Sequence, residues 1–75
     1  SAMKNKPEVK IIPYTDKDPM PFGKHKGKAL ANVPSDYLIW LSTQSIDWPR
    51  LRKYIEDNME ALKLEANKAA KNYRR

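Results

Sequence analysis

The sequence predicts a mainly helical α+β domain, with a small N-terminal β-hairpin packed on two helices, the second of them long. Three observations carry this. Apolar residues recur at spacings of three and four from Trp48 to Tyr73. Pro34-Ser35-Asp36 precedes five consecutive apolar residues, Tyr37 to Leu41. Gly23 and Gly27 stand between two very short stretches, Met20–Phe22 and Lys28–Leu30.

Residues 1–18 read as an irregular arm and 19–75 as one small domain, with Ser1-Ala2 ahead of Met3 taken as a cloning scar. Pro7 and Pro13 each remove a backbone donor and bias the preceding residue away from helix. Between them, Val9 to Ile12 suits either a short strand or a docked extended segment. Pro19 and Pro21 keep Asp18 to Gly23 extended or turning. The two glycines can then supply left-handed backbone at both ends of a tight turn. This makes Met20–Phe22 and Lys28–Leu30 the strands of the hairpin. A lone hairpin is marginal in water, so it has to lie on the helices.

The first helix begins at Pro34-Ser35, either of which can cap, and Asp36 puts negative charge at the positive end of the dipole. The second begins at Asp47-Trp48-Pro49, with Asp47 as cap and Pro49 in the first turn, where a missing N–H costs nothing. Its stripe is Trp48, Leu51, Ile55, Met59, Leu62, Ala66, Ala69 and Tyr73, about seven turns. Glu60–Lys63 and Glu65–Lys68 are same-face pairs, and Lys71, Arg74 and Arg75 suit the negative end. Toward the C-terminus the stripe thins to alanines, so the last turns project or meet another chain. In so short a chain, Trp40 and Trp48 are expected in the core.

A chain of 75 residues makes one domain at most, and with no cysteine it has neither disulfide nor thiolate chemistry. That composition fits a reducing cytoplasm. No apolar run approaches the length of a membrane span, and no apolar segment follows the basic start as in a secretory signal. The net charge is +6 and the pI about 9.7. Residues 1–34 carry +4 of this and residues 35–75 carry +2. A field of that sign attracts phosphate, anionic lipid or acidic protein without choosing among them.

The loop Phe22-Gly23-Lys24-His25-Lys26-Gly27-Lys28 is the most distinctive feature. It is not a Walker A loop, which has four residues between its glycines and Ser or Thr after the lysine; here there are three, and Ala29 follows. Nor does it have the dinucleotide-binding glycine spacing. A basic loop bracketed by glycines can offer backbone N–H groups and ammonium groups to phosphate. The plainer alternative is an exposed turn whose glycines serve backbone shape alone. His25 is the sole histidine, so a zinc site of nitrogen and sulfur ligands is not available. As a general base it would need an orienting carboxylate, and none is near in sequence unless Asp16 or Asp18 approaches in space, so the expected role of His25 is to share a phosphate contact from the loop. Arg50, Arg52 and Lys53 form a second basic cluster at a helix start, where cations oppose the dipole, which points to a use: they extend the nucleic-acid contact of the loop, the alternative being ordinary solvation with an Arg52–Glu56 pair. The expectation is a binding protein, without catalytic residues, metal or cofactor. Its partner is DNA or RNA, or alternatively a protein or second copy held by Tyr37–Leu41 or the long helix, and in neither case a membrane.

Met20 to Lys28, followed by Val33-Pro34 and Tyr37-Leu38-Ile39-Trp40-Leu41, resembles a family of small bacterial proteins labelled quorum-sensing-regulated virulence factors. A similar segment follows the nuclease domain in some exonucleases of the proofreading type. The resemblance implies an accessory contact to DNA, with Phe22, Gly23, Lys24, Lys26 and Gly27 as candidate contacts. It carries over no catalytic residue, because this chain lacks the clustered carboxylates that a nuclease domain uses to hold metal.

Overall fold

Helix accounts for most of the regular structure in the computed structural model, which describes residues 9–73. A 3-10 turn at Leu30–Asn32 leads into α1 (Ser35–Ser42), α2 (Pro49–Asp57) and α3 (Met59–Tyr73). The scar at Ser1-Ala2, Pro7, and the C-terminal Arg74 and Arg75 lie outside the described residues.

Two of the expected elements form differently. The hairpin does not form: the described residues contain no strand, and a single antiparallel bridge joins Pro19 to Ala29. Prolines are the reason. Pro19 and Pro21 have no N–H to give, so the pairing between Met20 and Lys28 cannot extend into a ladder. The long helix is also two helices, broken at Asn58 (φ −107°, ψ 10°). The Asn58 side-chain amide donates to the Tyr54 carbonyl at 2.8 Å, and its backbone N–H is shared between the carbonyls of Tyr54 and Ile55. Side-chain competition of this kind makes Asn a poor residue for a helix interior. The bond from Leu62 N–H to the Asn58 carbonyl, 2.9 Å, restarts the helix at once.

The caps differ in detail. Pro34 and Trp48 are the N-cap residues, and neither uses a side-chain oxygen; Pro49 occupies the first turn of α2 as expected. Ser35 instead donates its hydroxyl to Glu65 at 3.1 Å, tying α1 to α3. Among the described residues one ion pair lies within 4.0 Å, Lys53–Asp57 at 3.4 Å. The core comprises Met20, Leu30 and Val33 from the loop region, Leu38 and Leu41 from α1, and Leu51, Tyr54, Ile55 and Leu62 from α2 and α3. Both tryptophans lie outside it: Trp40 is 52 % exposed and Trp48 39 %. Leu38 and Leu41 take the inward face of α1, which turns Trp40 outward.

The segment before the loop meets α2 at Ile12 and Tyr14. The Tyr14 N–H donates to the Arg50 carbonyl at 3.2 Å, and Arg50 Nε donates to the Ile12 carbonyl at 2.8 Å. Next comes a turn in which Asp18 Oδ2 accepts from Thr15 N–H at 2.7 Å and Thr15 Oγ1 at 3.2 Å.

Tyr54, 5 % exposed, donates its hydroxyl to Asp16 Oδ1 at 2.8 Å. Burial first, then that hydrogen bond and the charges of Asp16 and Glu65, push the phenol up to about 12 from its ordinary 10. The unfolded phenol therefore ionises first as pH rises. Its stabilising effect is complete below pH 10 and is lost between 10 and about 12. Denaturant midpoints should place the native chain above Tyr54→Phe near neutral pH by about 1 kcal/mol, with the gap closing across that window.

Candidate functional site

The loop from Phe22 to Lys28 is held from beneath by backbone bonds. Met20 N–H donates to the Lys28 carbonyl at 2.8 Å, and Gly27 N–H donates back to the Met20 carbonyl at 2.9 Å. Inside the loop, Lys26 N–H donates to the Gly23 carbonyl (3.1 Å) and Lys28 N–H to the His25 carbonyl (3.0 Å). Gly23 and Gly27 have φ of +83° and +90°, as the turn reading requires. These bonds also correct part of that reading. The N–H groups of Lys26, Gly27 and Lys28 are spent inside the loop, so an anion would be met by ammonium groups instead.

Lys24, Lys26 and Lys28 are all exposed. Asp16 and Asp18, the nearest upstream acids, are committed to the frame. The Asp16 carboxylate takes the Tyr54 hydroxyl and that of Asp18 the Thr15 turn, while their carbonyls accept Ala31 and Leu30 N–H. The lysines are thus left without an acid in ion-pair range among the described residues.

Two aromatic chains run outward from the loop. On one side, His25 and Tyr37 meet edge to face with centroids 4.7 Å apart at 71°, and Tyr37 meets Trp40 at 5.6 Å and 42°. Lys24 Nζ stands 5.9 Å from the Tyr37 ring centre. Lys24, His25, Pro34, Asp36, Tyr37 and Trp40 line one open cleft. On the other side, Phe22 packs on Trp48 at 5.1 Å, Trp48 Nε1 donates to the Tyr14 hydroxyl at 2.9 Å, and the Arg50 guanidinium lies 4.7 Å from the Tyr14 ring centre. Phe22 is therefore a half-buried packing residue at the root of the loop.

The second basic cluster is largely occupied with structure. Arg50 holds the N-terminal segment, Lys53 pairs with Asp57, and Arg52 Nη1 reaches the Ile46 carbonyl at 3.5 Å, the outer limit of a hydrogen bond. His25 has neither Asp16 nor Asp18 as an orienting partner. Desolvation against its neighbours, then the charges of Lys28 and Lys24, hold its pKa below the ordinary 6.5, with Asp36 pulling the other way. Both tryptophans were expected in the core and lie outside it, Trp40 further out than Trp48. Trp40 was the one with a sequence signal. Its signal was the five-residue apolar run, too wide for one buried face of an eight-residue helix.

The family model described as "Putative quorum-sensing-regulated virulence factor" matches residues 9–67, and the chain belongs to that family. No curated protein and no solved structure matches it. Among the described residues no helix is long and apolar enough to cross a membrane.

Proposed function

We propose that this member of the quorum-sensing-regulated virulence factor family is a nucleic-acid-binding module without catalysis of its own, with Lys24, Lys26 and Lys28 as its phosphate contacts. The observation that carries the reading is the set of three exposed lysines within five residues, on a backbone-braced loop whose upstream aspartates, Asp16 and Asp18, are turned to other work. Such cations lose little on meeting phosphate, since no intramolecular pair has to be broken. Ammonium groups contact phosphate without reading bases, so affinity through the loop is largely independent of sequence. Fluorescence anisotropy with labelled oligonucleotides tests this. Three phosphate contacts give a slope of log affinity against log salt of about −2 to −3 between about 0.05 M and about 0.2 M. A flat dependence, or no binding at the lower salt, contradicts the reading.

A second reading is a homodimer through α3, favoured by Leu64, which is 67 % exposed and lines an open groove with Ile39. Two antiparallel copies related about Leu64 would set Glu60 against Lys68 of the other copy. Sedimentation equilibrium would then show a dimer that salt barely weakens and Leu64→Glu abolishes.

A further inference from the structure

We infer that the site takes single-stranded nucleic acid, with an unpaired base laid on the open face of Trp40 beside Tyr37 while Lys24 holds the adjoining phosphate. This rests on the phosphate-binding reading of the loop and goes beyond it by choosing the strand state.

Trp40, 52 % exposed, is the most exposed aromatic ring among residues 9–71 and stands on a helix whose leucines are fully engaged in the core. An indole so exposed does little for the fold. It is also firmly placed: Tyr37 flanks it at 5.6 Å, and His25 and Tyr37 pack edge to face at 4.7 Å. That leaves Trp40 as the free end of the stack. Lys24, within 5.9 Å of the Tyr37 centre, puts a positive charge on the same cleft. A flat ring bordered by ammonium groups is the arrangement by which proteins hold single strands, since every base has a π-face and every nucleotide a phosphate. In a duplex those faces are stacked on one another and are not offered to an outside ring. Asp36, on the same cleft, is an acceptor; it suits the amino and imino donors of a base edge and repels phosphate, which leaves the phosphate to the lysine side.

The test compares labelled single-stranded DNA, single-stranded RNA and duplex DNA of one sequence, about 15 nucleotides long, near physiological salt. The proteins are the native chain, Trp40→Ala and Trp40→Phe. The expected result is tighter binding of single strands than of duplex. Trp40→Ala should lose between about fivefold and about a hundredfold of the single-strand affinity, with duplex binding unmoved and Trp40→Phe retaining most of it. Single strands should also quench indole emission in the native chain and not in Trp40→Ala. The DNA and RNA arms decide which polymer is preferred. Equal native affinity for duplex and single strand, or single-strand binding indifferent to Trp40→Ala, overturns the inference while leaving the loop as a phosphate site. Absence of binding in every arm overturns both. Loss of self-association in Trp40→Ala, with nucleic-acid binding intact, overturns it in favour of a protein interface. The replaced side chain is exposed, and an unchanged thermal melt verifies that each variant is folded.

Discussion

Leu38→Ala is expected to cost about 3 kcal/mol of folding stability. Leu38 has no exposed surface and sits on α1, where the loop residues Met20, Leu30 and Val33 share its core with Leu51, Ile55 and Leu62. A domain this size has a total stability of only a few to about ten kcal/mol. Its melting temperature should therefore fall by about 12 to 24 °C. Leu64→Ala, at a position 67 % exposed, should stay within about 0.5 kcal/mol of the native chain. Thermal denaturation followed by circular dichroism compares the two. Similar melts for both variants would mean that α1 does not close this core.

Gly23→Ala should cost about 2 to 3 kcal/mol and Gly27→Ala about 1 to 2, although both glycines have positive φ. The difference lies in what a methyl group would meet. At Gly23 an added Cβ would stand 3.1 Å from the Tyr37 hydroxyl oxygen, whereas at Gly27 the space is open. Tyr37 is gripped by His25 and Trp40, so it cannot withdraw freely. Removing the oxygen should restore part of the loss, and the cycle formed by Gly23→Ala with Tyr37→Phe measures that coupling. Equal costs at the two glycines, with no coupling to Tyr37, would contradict this geometry.

The helical framework was legible because Leu51, Ile55 and Leu62 keep the period of a buried face, and Pro49 marks its start. The break at Asn58 was not. Leu62 N–H bonds to the Asn58 carbonyl at once, so the apolar stripe runs through the interruption without losing phase. The glycine loop was legible from its spacing. The strands beside it were overread: Pro19 and Pro21 bring the segments together at one bridge and withhold the donors that a ladder needs. Trp40 was misplaced because an apolar run shows that some face is surplus without saying which. Only the burial of Leu38 and Leu41 decides that. The use of Asp16 and Asp18 was out of reach as well, since their hydroxyl and N–H partners include Tyr54, 38 residues from Asp16.

The measurement that bears most directly on the loop is single-strand affinity near physiological salt for Lys24→Ala/Lys26→Ala beside Lys63→Ala/Lys68→Ala. Both variants lower the formal net charge from +6 to about +4, so a general attraction to polyanions predicts equal losses. A phosphate site in the loop predicts that the first variant loses about tenfold or more and that its salt slope shrinks by about 1.5, while the second stays close to the native chain. Equal losses, or binding indifferent to Lys24 and Lys26, would contradict the account and leave the loop as a turn.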